Sequence, residues 1–253
     1  MTFARLGDDA SDLADRIKDV VTNRSANSPR SKQKKVGLSE VGEVCIRKTC
    51  FKLLDWKTTN PATDPWASIS GTAIHSWLAD AFGDQYDGEE NPLYLVEHAV
   101  KVTDELSGTC DLFDIQKKMV IDHKCVGATS MKSRKKDGMT YQQRIQINLY
   151  GLGIENEFGI GSVEKVALAF YPLGGRLDAM HTIVEDYNRQ LALDAVQRFQ
   201  DTQVLLWQLD PEANPKNWDL IPKAPTRNCS YCPWYLPKSV DTSQGCRGEE
   251  EAA

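Results

Sequence analysis

No run of about 18 apolar residues occurs in this sequence, so it offers no membrane-spanning helix. The opening residues, MTFARLGDDASDLADRI, lack the apolar core of a secretory signal. The expectation is therefore a cytoplasmic protein. No G-x-x-x-x-G-K-[ST] stretch is present, which excludes a P-loop ATPase. No internal repeat is visible. Without an export signal, the seven cysteines are not expected to form a disulfide framework. Free, catalytic or metal-bound thiols are the better expectation. What remains is the composition of a soluble globular protein, with 253 residues, 41% hydrophobic and 26% charged.

A net charge of −6 argues weakly against a nucleic-acid partner. The basic residues are nonetheless clustered. Residues 24–35, RSANSPRSKQKK, hold five Lys/Arg and no acid, and residues 132–136, KSRKK, hold four. Such runs are either solvated loops or patches that track phosphates.

Hydrophobic periodicity gives the element order. Residues 9–22 read as a short amphipathic helix, and 23–37 as a basic connector. SEVGEVCIRKTCFKLL (39–54) reads as one helix. A Pro-punctuated loop, NPATDPW, precedes a helix whose expected core stripe is Ile69, Ala73, Ile74, Trp77, Leu78 and Ala81. Three strands follow, at 94–102, 106–115 and 118–124. A basic loop leads to a helix over 141–156. Two strands form a hairpin about Gly174-Gly175, and a long helix covers 186–208 with Tyr187, Leu191, Ala195 and Phe199 on one face. The organisation expected is an N-terminal helix and basic segment (1–37), a core (38–210) and a Cys-rich segment (211–253).

The stretch KMVIDHKC (118–125) carries the chemistry. Strand side chains alternate, so Asp122 and Lys124 share a face and His123 points away. A two-residue turn at Gln116-Lys117 would set Asp111 opposite Asp122. Carboxylates that close repel unless a proton or cation lies between them. A hard divalent ion, Mg²⁺ or Mn²⁺, would resolve the conflict, lower the pKa of a bound water and polarise a phosphoryl oxygen. Lys124 would then orient the water or stabilise charge on phosphorus. The competing reading is a pair of surface salt bridges on a hairpin. His75, four residues after Gly71 on one helix face, is a further ligand candidate or a structural histidine. Gln146 and Tyr150, also four apart, form a polar pair on the next helix.

Taken in order, G-T-A-I-H (71–75), Glu97 on a strand, G-T-C-D (108–111), D-H-K (122–124) and Q-I-N-L-Y (146–150) resemble the RecB-like branch of the PD-(D/E)xK nucleases. The resemblance spans roughly residues 38–248. It implies an α/β fold with an αβββαβ restriction-endonuclease-like core, a mixed sheet flanked by helices. It also implies metal-dependent cleavage of DNA phosphodiesters. On it, His75, Asp111, Asp122 and the backbone carbonyl of His123 would hold Mg²⁺ or Mn²⁺. Lys124 would be the catalytic lysine. Gln146 and Tyr150 would bind DNA, assisted by Lys132, Arg134, Lys135 and Lys136 of the basic run.

The cysteines resemble the iron–sulfur variants of this family, which include CRISPR-adaptation exonucleases, the AddB-type subunit and phage-encoded relatives. Cys45, Cys229, Cys232 and Cys246 would hold a 4Fe–4S cluster. A Cys₄ zinc site is the alternative. The gap from Cys232 to Cys246 exceeds the family's short spacing, and Cys50 is a rival ligand. Cys110 and Cys125 are expected to pack as small apolar residues. Trp234 and Tyr235 would either stack on single-stranded bases or pack around the cluster. The function implied is a phage-type exonuclease acting on DNA ends in recombination, repair or replication, with an annealing or helicase partner. A CRISPR end-trimming nuclease and a non-catalytic DNA-binding subunit are the alternatives.

Overall fold

The computed structural model describes residues 6–28, 35–61, 64–224 and 229–248. Residues 29–34 of the basic connector and residues 249–253 of the acidic tail lie outside these residues. The chain runs α1 (Leu6–Ala26), α2 (Leu38–Val41), α3 (Ile46–Leu53), α4 (Trp66–Gly83), β1 (Tyr94–Lys101), β2 (Ser107–Asp114) and β3 (Met119–Val126). Then come α5 (Ala128–Asp137), α6 (Tyr141–Phe158), β4 (Lys165–Pro172), β5 (His181–Asp186) and α7 (Arg189–Leu209). The five strands form one mixed sheet in the order β1-β2-β3-β4-β5. Only the β3–β4 pair is parallel. A parallel neighbour needs a long crossover, and α5 and α6 supply it. The expected αβββαβ order is present, from α4 through β4. Among the described residues, no helix is long and apolar enough to cross a membrane.

The β2–β3 turn differs from expectation while its register does not. Four residues, Ile115–Lys118, make the turn, with Lys118 at φ 49° and the amide of Lys117 donating to Asp114 Oδ1 at 2.8 Å. The pairs Leu112↔Ile121 and Phe113↔Val120 keep Asp111 across from Asp122. Met119-Val120-Ile121 fixes that register, because a one-residue slip would turn Val120, fully buried, to the other face.

Helix α6 runs through the centre of the molecule and is buried from Ile145 to Glu155. Thr140 caps it by accepting from the amide of Gln143, whose side chain accepts from the amide of Thr140 in return. Two glycines let it press against its neighbours. A Cβ at Gly153 would lie 2.7 Å from Val100 Cβ on β1, and one at Gly151 2.6 Å from the ring of Tyr187. The buried polar groups on α6 are partnered: Asn148 donates to Arg144 O and accepts from the amide of Asn188, and Glu155 accepts from Tyr187 Oη.

Three expected elements are corrected. The helix over 39–54 is two helices, broken at Gly42–Cys45, because Arg198 of α7 donates to Val41 O and Glu43 O and holds the chain out of helical register. The basic loop at 132–136 is helical, as α5: its Lys, Arg and Met favour helix, and Gly138 at φ 76° ends it. Helix α4 packs through Ile74, His75, Leu78 and Phe82. Of the expected stripe only Leu78 is buried, and Trp77 is 69% exposed.

A second apolar cluster joins α3 to the C-terminal segment. Phe51 stacks on Trp218 at 4.0 Å and on Trp234 at 5.5 Å, with Cys50, Leu206 and Ile221 around them. The backbone stitches the segment down: the amides of Thr59 and Asn60 donate to Pro233 O, and that of Arg47 to Pro222 O.

Candidate metal centre and cysteine cavity

The cleft lined by α4, β1, β2, β3 and α6 has a volume of about 590 Å³. Its walls come from α4 (Thr72, His75), β1 (Glu97), β2 (Asp111), β3 (Asp122, Lys124) and α6 (Gln146, Tyr150). Glu97 lies between the pairs Val96↔Leu112 and His98↔Cys110, which puts it across from Asp111. Glu97, Asp111 and Asp122 thus form a row of carboxylates over three adjacent strands. One ligand atom from each of His75, Glu97 and Asp111 falls within 4.8 Å of the others.

Each acid is held differently. Asp111 Oδ2 accepts from the amide of His123 at 2.8 Å and lies 3.5 Å from His75 Nδ1. Burial pushes the Asp111 carboxyl up, but His75, the His123 amide and Lys124 outweigh it and hold it below the usual range. The same contact with Asp111 raises His75. Asp122 is 1% exposed, and burial pushes its carboxyl up to about 6. Gln146 Nε2 donates to Asp122 Oδ1 at 3.0 Å and to Tyr150 Oη at 2.9 Å. Lys124 Nζ lies 2.6 Å from Asp122 Oδ2, a charge contact outside hydrogen-bonding alignment. Burial raises the Tyr150 hydroxyl well above the ordinary range, so it stays protonated.

His123 turns its ring away, as alternation requires. The ring stacks on Phe82 of α4 at 5.9 Å and meets Tyr171 of β4 edge-on at 5.5 Å. Burial lowers it to about 4. This leaves only its backbone for the cleft. Glu97 belongs to the ligand cluster but carried no site role in the sequence reading. Its φ is 45°, a left-handed conformation rare for a non-glycine residue, and alternation along a strand gives no sign of it.

The basic run does not line this cleft. Lys132, Lys135 and Lys136 are exposed on α5, and Arg134 turns back to donate to Gly138 O. Trp234 is buried, donates to Trp56 O and packs in the second core, so the packing reading holds for it. Cys110 is fully buried, whereas Cys125 is only half-buried.

Cys45, Cys229, Cys232 and Cys246 line one cavity of about 350 Å³, together with Arg47, Lys48, Lys223 and Tyr235. Cys50 does not line it and is buried in the second core. Among the described residues, no three cysteine sulfurs come within 4.8 Å of one another. The first turn of α6, Thr140–Gln142, forms part of the wall.

No sequence-family model matches the chain, and no curated protein matches it. Solved structures with a similar arrangement include an alkaline exonuclease, LHK-Exo, from Laribacter hongkongensis (TM-score 0.47, 11% identity, 76% of this chain and 97% of that one). The same enzyme in complex with dAMP gives a TM-score of 0.46 at 12% identity, over 74% and 95%. A phage related exonuclease from Haemophilus somnus 129PT gives 0.44 at 13% identity, over 71% and 96%. These likenesses are distant, and the functional reading rests on the site itself.

Proposed function

We propose that this chain is a Mg²⁺- or Mn²⁺-dependent deoxyribonuclease that hydrolyses phosphodiester bonds at DNA ends. The observation that carries the reading is the row Glu97–Asp111–Asp122 with Lys124 on the same patch. Glu97 and Asp111 meet with His75, Asp122 stands across from Asp111, and an oxygen-rich set with one imidazole suits a hard divalent ion. Asp111 and Asp122 would hold it with His75, Glu97 and the His123 carbonyl. When bound, it would supply an activated water and a polarised phosphoryl oxygen.

The side chains do the rest. Gln146 fixes Asp122 through Oδ1, which leaves Oδ2 to the cleft and Lys124. The Lys124 ammonium would meet the charge that grows on the scissile phosphate. Tyr150 Oη accepts from Gln146 Nε2 and orients that amide in the cleft wall. The exposed lysines of α5 would track the backbone away from the reacting bond. A non-catalytic DNA-binding subunit would not need to keep Asp111, Asp122 and Lys124 in register.

The cysteine cavity is read as a 4Fe–4S site. One zinc ion binds thiolates at about 2.3 Å, which places tetrahedral sulfurs about 3.8 Å apart. Among the described residues no three of the cysteine sulfurs meet at that spacing. A cubane needs wider spacing because four irons stand between its ligands. The cluster would be structural, tying the C-terminal segment to α3.

The test is digestion of linear and closed-circular DNA with Mn²⁺. Loss of linear DNA with the circle intact supports the reading. Nicking of the circle would move the assignment to an endonuclease. Inertness toward both would leave DNA binding without cleavage.

A further inference from the structure

Arg47 is a charged side chain, 7% exposed, in the wall of the cysteine cavity. Its Nε and Nη2 donate to Ile221 O at 3.0 and 2.7 Å, and Nη2 also reaches Asp219 O at 3.3 Å. Nη1 is aimed at Cys246 Sγ at 3.9 Å. Among the described residues no carboxylate pairs with this guanidinium. The other cations of the cavity are provided for: Lys48 lies 2.5 Å from Glu43, and Lys223 donates to Gly248 O. A buried guanidinium served by carbonyls alone has no counter-charge among the described residues, which is costly. Among the described residues the acceptor in reach that can carry negative charge is the Cys246 sulfur. The amide of Gly248 points at the same sulfur at 3.4 Å. Two donors on one sulfur suit a metal-bound thiolate, since a neutral thiol is a weak acceptor.

We propose that Arg47 is a positioning residue for the group held by Cys45, Cys229, Cys232 and Cys246: it hydrogen-bonds the Cys246 ligand sulfur, offsets the negative charge of a thiolate-bound iron–sulfur cluster and raises its reduction potential. The inference rests on the cluster reading above. Hydrogen bonds to ligand sulfurs and nearby positive charge both favour the reduced, more negative cluster. The same guanidinium grips Ile221 O, so one side chain of α3 joins the cluster to the segment that precedes Cys229.

The test is an anaerobic redox titration of the full chain with dithionite, following the [4Fe–4S]²⁺/⁺ couple by electron paramagnetic resonance, beside iron and sulfide assays. Arg47→Gln is expected to keep four irons per chain and to titrate at a more negative potential than wild type. Arg47→Lys is expected to fall between them, because one ammonium cannot serve Ile221 O and Cys246 Sγ together. Full iron with an unmoved potential in Arg47→Gln overturns the proposal. Should that variant lose its iron, Arg47→Lys decides: a lowered potential supports the role and an unmoved one overturns it. Loss of iron from both, with the fold intact by circular dichroism, assigns Arg47 to structure alone and overturns the tuning role. Wild-type protein that carries zinc or no metal overturns the cluster reading itself, a failure distinct from that of Arg47.

Discussion

Asp122 and Gln146 set the chemistry at the scale of single residues. Burial, helped by the neighbouring Asp111 and opposed by Lys124, raises Asp122 to about 6, so in the metal-free protein it keeps its proton below that pH and loses it above. A cation needs the bare carboxylate. Mn²⁺ affinity should therefore weaken as pH falls through 6, and binding near pH 6 should release a proton. Calorimetry in two buffers of different ionisation enthalpy reads that proton; an affinity flat between about pH 7 and 5 would contradict the assignment. Gln146 donates to Asp122 Oδ1 from inside the molecule. Gln146→Leu leaves that oxygen buried and unpaired, a cost of about 1–3 kcal/mol by urea unfolding. It should also lower kcat more than it raises KM, since the Gln146 amide is spent on Asp122 and Tyr150. That Asp111, Asp122 and Lys124 share one patch was legible because strand alternation and turn spacing set them there, whereas the choice of His75 as a ligand came only with the family resemblance. Glu97 stood in the motif order without a role, and Arg47 did not stand out. One depends on a left-handed backbone and the other on a contact across 199 positions of sequence, and neither leaves a local pattern.

Helix α6 carries the main consequence at the scale of elements. One end borders the cysteine cavity, its middle grips Asp122, and Gly153 lets it seat on β1. Gly153→Ala would drive a Cβ to 2.7 Å from Val100 Cβ. Overpacking of that kind costs about 1–3 kcal/mol. A lower thermal midpoint is expected, with partial recovery on adding Val100→Ala; an unchanged midpoint would mean that α6 has room to move. On α5, replacing Lys132, Lys135 and Lys136 together by Ala should weaken DNA binding and flatten its salt dependence by roughly 0.9 in log–log slope per lost phosphate contact. An unaltered slope would remove α5 from the DNA path. The order of elements along the chain and the facing of Asp111 and Asp122 were legible in the sequence, although the four-residue turn differs from the expected two and the buried Val120 holds the register. The facing of α4 was not. Its apolar residues nearly encircle it, and His75, Leu78 and Phe82 are set against the sheet while Trp77 is left in solvent.

At the scale of the whole molecule, two cores divide the labour. The sheet, α6 and α7 bury one, and α3 with the C-terminal segment bury the other around Phe51, Trp218 and Trp234. The second core was illegible locally, because its aromatics come from distant stretches and meet only when the chain closes. Trp218→Ala should cost about 3–5 kcal/mol. The loss should show first as release of the C-terminal segment in limited proteolysis, while the carboxylate row stays assembled. The central claim is that this row works on DNA with a divalent ion. Its most direct test is digestion of end-labelled linear DNA in Mg²⁺ or Mn²⁺, on anaerobically purified protein, beside Asp122→Asn and Lys124→Ala. The account predicts metal-dependent loss of label by the wild type, with both variants folded and inactive. Full activity in either variant, or loss of label that persists in excess chelator, would contradict it.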